Sequence, residues 1–204
     1  RRLKEVPDCQ LHGSYQDKNQ QTAFVALQVL RNICGIEITK EAIAEGFAHV
    51  STLTGLRGRW EVLSQSPLTI CDTGHNGHGI RYVAEQLSIL LANHSTQRYT
   101  TLHNAAPSLR IVLGMVGDKD IDTVLGLLPE NAVYYFTQPA TSRALPAEEL
   151  LSRWKTIHPL SNTHYPISAF PSVKEALAAV QKEASNEDII FIGGSNYVVG
   201  EALS

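Results

Sequence analysis

Apolar side chains recur at helical spacing near the start of the chain. Between residues 20 and 34 they fall three or four positions apart, which predicts a helix, and Gly35 is well suited to end it. A second helix is predicted over residues 39–49, with Thr39 as its N-cap. Residues 51–58 contain two glycines and no apolar period. We expect them to form a linker.

Beyond Arg59, short apolar runs alternate with amphipathic stretches. Residues 188–192 are apolar at almost every position, as is typical of a strand covered on both faces. Strands that alternate with helices in this way predict βαβ units and a mostly parallel sheet with flanking helices, so the fold class is α/β. The predicted strands are residues 60–63, 68–71, 110–115, 132–136, 164–166 and 188–192, and the predicted helices are residues 79–93, 121–128, 146–156, 172–184 and 196–203.

Ligands of parallel α/β sheets bind outside the carboxyl ends of the strands. Four segments of this chain follow predicted strands and carry polar or small residues. They are residues 72–79, 117–120, 138–143 and 193–195. A functional site is therefore expected where these segments meet.

The composition argues against several classes of function. The 204 residues are 43% hydrophobic and 18% charged, and they carry a formal net charge of −3 without a basic run. Binding to nucleic acid or to a membrane surface therefore has no electrostatic support, and no apolar run is long enough to span a bilayer. Cys9, Cys34 and Cys71 suit reduced thiols better than a disulfide framework. We expect a cytoplasmic protein.

The segment after the second predicted strand concentrates chemically capable groups. It reads Asp72-Thr73-Gly74-His75-Asn76-Gly77-His78-Gly79, a glycine-rich turn that leads into a helix. Such a turn lets backbone N–H groups approach a ligand, and a helix start favours an anion. Two other interpretations stay open. Asp72 could simply cap a tight turn, or His75 and His78 could bind a metal, although no third ligand with zinc spacing is nearby.

Arg59 lies between Gly58 and Trp60, at the junction between the helical part and the α/β part. An isolated arginine is usually a solvated surface charge. At a domain junction, however, a guanidinium group is well placed to bind a phosphate, because its planar fork bonds oxyanions in pairs. Arg59 is therefore a candidate phosphate ligand.

Five motifs occur in order along nearly the whole chain. They are Gly13-Ser14-Tyr15-Gln16-Asp17-Lys18-Asn19, Gly58-Arg59-Trp60-Glu61, Asp72-Thr73-Gly74-His75-Asn76, Gly114-Met115-Val116-Gly117-Asp118-Lys119-Asp120 and Gly193-Gly194-Ser195. Each motif is weak alone. In this order and with these gaps, the chain resembles the folylpolyglutamate and dihydrofolate synthase family of the Mur ligase superfamily.

The resemblance implies a two-domain ligase of which this chain is the carboxy-terminal portion. The family's amino-terminal ATPase domain has a phosphate loop ending in Gly-Lys-Ser/Thr, and this sequence contains no such motif. Residues 1–57 would be the helical end of the ATPase domain and a linker, and residues 58–204 the Rossmann-like ligase domain. The chain opens on Arg1, which also suggests part of a longer protein. We expect it to be inactive alone.

The resemblance also implies an activity and residue roles. ATP would activate a carboxylate of folate, or of dihydropteroate, as an acyl phosphate, and the amine of L-glutamate would attack it. Asn19, Arg59 and Asp72 match residues that contact ATP in the family, whereas His75, Asp72 and Ser195 match the place of the incoming glutamate. His75 and Asp72 would be catalytic, orienting and deprotonating the ammonium group. Mg²⁺ would be held mainly by the amino-terminal domain, with no metal ligand in this chain, and the enzyme would be a monomer.

Some positions depart from the family pattern or carry a weaker signal. Thr73, Gly74 and Gly77 replace the family's Gly, Ala and Pro, which affects the shape of the turn but leaves Asp72 and His75 in place. Residues 118–120 are most simply a solvated charged turn. Arg143, at another strand end, could pair with a glutamate carboxylate. The remaining histidines are expected at the surface, namely His12, His94, His103, His158 and His164.

Two alternative functions stay open from the sequence. One is the carboxy-terminal domain of a cell-wall Mur ligase, although the Gly58-Arg59-Trp60-Glu61 motif and the motif over residues 114–120 favour the folate branch. The other is a non-catalytic, nucleotide-binding Rossmann-like module. A Gly-x-Gly-x-x-Gly fingerprint would support that module, and the sequence has none.

Overall fold

A computed structural model describes residues 6–98, 108–117, 120–159 and 165–204. The chain divides into two compact units, Arg1–Trp60 and Glu61–Ser204. Among the described residues, no helix combines the length and apolarity needed to cross a membrane.

The first unit is helical. It contains α1 (Gln16–Asn32), α2 (Lys40–Ala48) and α3 (Val50–Thr54). Its core is one small cluster, in which apolar residues of α1, of α2 and of the segment before α1 pack together. That cluster is formed by Val6, Phe24, Ile43 and Phe47.

The residues predicted to begin and end helices in this unit have the expected conformations. Thr39 caps α2, since its side chain accepts a hydrogen bond from the Ala42 N–H at 3.0 Å. Gly35 takes a left-handed conformation with φ +70° shortly after α1. The predicted linker over residues 51–58 is wrong in its first part, which forms α3 and ends at Gly55 with φ +70°. A five-residue helix is too short to show a period.

The second unit is built on a six-stranded sheet of order β1-β2-β6-β3-β4-β5. Strands β2 to β6 run parallel, and β1 pairs with β2 antiparallel at the edge. The strands are β1 (Glu61–Gln65), β2 (Leu68–Asp72), β3 (Leu109–Leu113), β4 (Ala132–Thr137), β5 (Ile167–Phe170) and β6 (Ile189–Gly193). The predicted α/β class with a mostly parallel sheet is confirmed.

Helices flank this sheet in alternation with the strands. They are α4 (Gly77–Arg98), α5 (Ile121–Leu127), α6 (Ala147–Ile157), α7 (Val173–Glu183) and α8 (Asn196–Ala202). Every residue of β4 and β6 is buried, as expected of strands covered on both faces. The carboxyl ends of the parallel strands share one edge, so the segments that follow them are brought together.

One strand differs from its predicted place. The strand predicted over residues 164–166 lies further along, at Ile167–Phe170, where it pairs with β4. Residue 164 is outside the described residues, and Pro166 precedes the strand. This short edge strand is only partly buried, so its apolar signal is weak.

Candidate functional site

Asp72 is the last residue of β2 and is almost fully buried, with 1% of its surface exposed. Its Oδ1 atom accepts a hydrogen bond from the Gly74 N–H at 2.7 Å. The carboxylate therefore holds the turn that leads to α4, in the way that the capping interpretation predicts. It is also next to the neighbouring strand end, because Asp72 pairs with Gly193 in the sheet.

His75 is half-buried on the same turn. Its Nδ1 atom lies 3.0 Å from the carbonyl oxygen of Thr73. A carbonyl oxygen can only accept, so Nδ1 must carry the hydrogen in this contact. In the neutral imidazole Nε2 is then the acceptor, which is the state that a proton-accepting group requires.

A cavity of about 350 Å³ lies at the carboxyl edge of the sheet. Its lining comes from segments that follow β2, β3, β4 and β6, so the predicted meeting of these segments occurs. Three predicted site residues share this cavity: His75, Arg143 and Ser195. The sequence reasoning did not single out the other lining residues, which are Val116, Asn196 and Tyr197. They lie just outside the predicted segments, within two residues of their ends, and that position is the available signal.

Ser195 combines a structural role with a free donor capacity. It is the N-cap of α8, and its Oγ accepts a hydrogen bond from the Val198 N–H at 3.1 Å. The hydroxyl hydrogen is not used in that bond, so it can be donated to a ligand. The approach to Ser195 is tight, since a Cβ atom at Gly194 (φ +91°) would lie 2.8 Å from the Gly114 carbonyl oxygen. Only glycine fits there.

Arg143 reaches the cavity from the loop between β4 and α6. The loop is tied to the segment after β3, because the Gly117 N–H donates to the Arg143 carbonyl at 2.9 Å and the Leu145 N–H donates to the Met115 carbonyl at 2.9 Å. The positively charged side chain of Arg143 thus lines the cavity from a loop whose backbone is held by hydrogen bonds.

Asn19 and Arg59 belong to the first unit. Asn19 lines an apolar cavity of about 420 Å³ there, and its side-chain amide donates to Gln16 Oε1 at 3.1 Å. Arg59 lies one residue before the boundary between the units. It stands between Gly58, with φ +71°, and Trp60, with φ +51°. A left-handed conformation is costly for a tryptophan, and such conformations cluster at functional sites.

The other polar candidates take local roles. His78 is exposed, and its ring packs edge-to-face on Tyr82 with centroids 5.2 Å apart. No three His, Cys, Asp or Glu side chains converge on a possible metal position within the described parts of the chain. Asp120 caps α5 by accepting a hydrogen bond from the Thr123 N–H at 3.3 Å. Hydrogen bonding to the Thr123 side chain, and then to its backbone N–H, lowers the pKa of Asp120. Asp118 and Lys119 lie outside the described residues.

A protein-family model matches more than half of this chain. Residues 58–196 match the model described as "Mur ligase, glutamate ligase domain". The chain belongs to this family. The matched region includes Arg59, Asp72, His75 and Arg143, together with Ser195 at its end.

Curated relatives of this Mur ligase chain are folate ligases. It is 29% identical over 185 residues to the dihydrofolate synthase/folylpolyglutamate synthase of Escherichia coli, which covers 90% of the chain and 37% of that protein. It is 31% identical over 150 residues to the same enzyme of Buchnera aphidicola from Acyrthosiphon pisum, covering 73% of the chain and 31% of the relative. The predicted resemblance to the carboxy-terminal portion of this family is confirmed.

Solved structures show the same fold. The chain superimposes with a TM-score of 0.71 on a Mycobacterium tuberculosis folylpolyglutamate synthase complexed with ADP, at 22% identity, covering 96% of the chain and 40% of the other. With E. coli FolC in complex with ADP the TM-score is 0.66 at 26% identity, covering 98% and 41%. The chain thus spans about two fifths of the length of these enzymes.

Proposed function

We propose that this chain is the glutamate-binding part of an ATP-dependent ligase, which adds L-glutamate to folate or to dihydropteroate through an acyl phosphate. The observation that carries the proposal is the cavity shared by His75, Arg143 and Ser195. Family membership and the folate ligases among its relatives support the same reading and favour the folate branch over the cell-wall branch.

The cavity offers the complementary groups for an amino acid with two carboxylates. The Arg143 guanidinium can pair with one carboxylate, and the Ser195 hydroxyl can donate a hydrogen bond to another. His75, held through Nδ1, presents Nε2 as the acceptor for a proton from the ammonium group. The amine must lose that proton before it can attack the activated carboxyl carbon.

Asp72 is proposed to act in ATP binding and in catalysis. Its bond to the Gly74 N–H holds the turn that carries His75, so part of its effect is on the placement of that imidazole. Its negative charge would also favour the ammonium form of glutamate before proton transfer.

ATP is proposed to be bound with the help of Asn19, Arg59 and Asp72. It supplies the phosphoryl group that makes the folate carboxylate reactive. Following the family resemblance, we propose that Mg²⁺ is held mainly by the amino-terminal ATPase domain of the enzyme. We further propose a cytoplasmic monomer that uses neither nucleic acid nor a membrane.

The test uses a full-length ligase that contains this chain. ADP release is measured with folate, dihydropteroate or a nucleotide-linked peptide as the acceptor, and with L-glutamate, L-aspartate or L-alanine as the amine. We expect ADP release only when a folate-type acceptor and L-glutamate are both present. Turnover with the nucleotide-linked peptide would place the enzyme in the cell-wall branch, and nucleotide binding without any turnover would favour a non-catalytic module.

A further inference from the structure

The cavity is bounded by two segments whose relative placement matters for a ligand with two carboxylates. The β4–α6 loop contributes Arg143, and the start of α8 contributes Ser195 and Tyr197. These segments follow different strands, so a contact between them would set the spacing of the groups that we propose to hold glutamate.

Such a contact exists near the far end of α8. Glu201 accepts a hydrogen bond through Oε1 from the Ala140 N–H, at 2.6 Å. A carboxylate that accepts from a backbone N–H forms one of the stronger hydrogen bonds in proteins, and the short distance agrees with that. Glu201 itself is half-buried and does not line the cavity.

The loop is compact enough to pass this restraint on to Arg143. The Thr141 N–H donates to the Pro139 carbonyl at 2.8 Å, and the Ala144 N–H donates to the Thr141 carbonyl at 3.1 Å. The Arg143 carbonyl is in turn fixed from the other side by the Gly117 N–H. Ala140 therefore lies in a hydrogen-bonded segment, residues 139–144, that includes Arg143.

We infer that Glu201 is a positioning residue for glutamate recognition, which holds the Arg143 loop at a fixed distance from Ser195. The inference rests on the proposed function. It assigns Glu201 no contact with substrate, because its carboxylate acts through the backbone of Ala140.

The experiment compares Glu201→Ala, Glu201→Gln and Glu201→Asp in a full-length ligase that contains this chain. Glu201→Ala should raise the glutamate KM about tenfold, equivalent to about 1.4 kcal/mol, and leave the ATP KM within about twofold. Glu201→Gln keeps an acceptor of the same reach without its charge, so it should raise the glutamate KM less than Glu201→Ala does. Glu201→Asp is too short to reach Ala140 and should resemble Glu201→Ala, which keeps the test usable if the alanine variant is unstable.

A double-mutant cycle separates positioning from general stability. If Glu201 acts through Arg143, Glu201→Ala should have no further effect on the glutamate KM in an Arg143→Ala background. Effects that multiply would overturn the inference, and so would an unchanged glutamate KM in Glu201→Ala. The matched control is Glu148→Ala, an exposed glutamate in the first turn of α6, for which the glutamate KM should not change.

Amide hydrogen exchange of residues 138–145 measures, independently of turnover, whether Glu201 restrains the loop. Exchange at Ala140 should be faster in Glu201→Ala than in the parent and unchanged in Glu148→Ala. Equal exchange in all three proteins would overturn the inference. If exchange responds as expected but the parent shows no glutamate-dependent turnover, the proposed function fails while the loop restraint stands.

Discussion

The Nδ1 atom of His75 lies 3.0 Å from the carbonyl oxygen of Thr73, two residues earlier on the turn that follows β2. Of the two neutral tautomers, this contact favours the one with its hydrogen on Nδ1 and a free acceptor at Nε2, and it limits rotation of the ring. A backbone carbonyl thus orients the His75 imidazole on this turn.

His75→Ala should therefore impair the transfer step. Removing a positioned base costs about 10²–10⁴-fold in rate, and the apparent ATP affinity should change little, because His75 itself is not one of the proposed ATP ligands. Steady-state rates measured across a glutamate titration, in a full-length ligase that contains this chain, check the prediction.

His78→Ala is the matched control for that variant. His78 is exposed, packs on Tyr82 and does not line the cavity, so its loss should leave the rate near that of the parent. If both variants are equally damaged and added zinc restores them, the two histidines bind a metal and the base assignment is wrong.

Arg59→Ala should weaken the use of ATP without unfolding the protein. A charged hydrogen bond to a phosphate contributes about 1.5–3 kcal/mol, so the ATP KM should rise about 10- to 150-fold. Arg57→Ala, two residues earlier and outside the Gly58-Arg59-Trp60-Glu61 motif, serves as the control. An ATP KM and a rate that both stay within twofold would make Arg59 an ordinary surface charge.

A polar network lies at the amino ends of β3 and β6, on the opposite side of the sheet from the cavity. Arg110 Nε donates to Asp188 Oδ2 at 2.7 Å, and the backbone N–H groups of Ser108 and Ser185 donate to the same carboxylate at 3.0 Å each. Burial alone would raise the pKa of Asp188, but the hydrogen bond from Arg110 and the backbone bonds outweigh it, so that pKa is lowered. Nearby, burial and a hydrogen bond to Glu183 raise the pKa of Tyr135 to about 12.

The lowered pKa makes the network sensitive to acid. The contribution of Asp188 to the free energy of unfolding is complete above the pKa of an aspartate in the unfolded chain, about 3.9. It is lost as the pH falls through the lower pKa of the folded state. Asp188→Asn should lower the free energy of unfolding by about 2–3 kcal/mol at neutral pH. The difference in unfolding free energy between this variant and the parent should be smaller at about pH 3. Urea unfolding at both pH values measures this. The exposed pair of Asp122 and Arg153 provides the control, since Asp122→Asn should lower the free energy of unfolding much less than Asp188→Asn does. A cost for Asp188→Asn that does not depend on pH would contradict the account.

Gly114 and Gly200 should respond in opposite directions to a methyl group. A Cβ atom at Gly114 would lie 2.7 Å from the Thr137 carbonyl oxygen and from Val198 Cγ2, whereas at Gly200, inside α8, it would meet no described atom within 4 Å. Gly114→Ala should destabilise the protein by about 1–3 kcal/mol. Gly200→Ala should stabilise it by about 0.5–1 kcal/mol. Thermal unfolding of both variants tests the packing at the strand ends. Similar shifts in the two would show that Gly114 is not crowded.

The order of strands and helices could be predicted because buried strands and amphipathic helices leave different periods in the sequence. The position of the cavity followed from one rule, that parallel strands share a carboxyl edge, and the rule brought His75, Arg143 and Ser195 together. Elements with few buried residues were harder to place: α3 has no buried residue, and β5 is a partly buried edge strand.

Contacts between distant residues had no local signal. His158 was expected at the surface, but its Nδ1 lies 3.2 Å from Glu130 Oε1, its ring packs on Trp154, and only 9% of its side chain is exposed. The bond between Glu201 and Ala140 was missed for the same reason, because a single glutamate on a helix does not reveal its partner. His12 is exposed as predicted, whereas the side chains of His94, His103 and His164 lie outside the described residues.

The most direct test of the central claim is the mass of the folate product after incubation with ATP, Mg²⁺ and L-glutamate. A full-length ligase that contains this chain should yield folate heavier by one or more glutamyl residues, and Arg143→Ala should raise the glutamate concentration that this requires. The 204-residue chain alone should yield none, because it lacks a Gly-Lys-Ser/Thr phosphate loop. Unchanged folate with the full-length ligase, or glutamylated folate from the chain alone, would contradict the account.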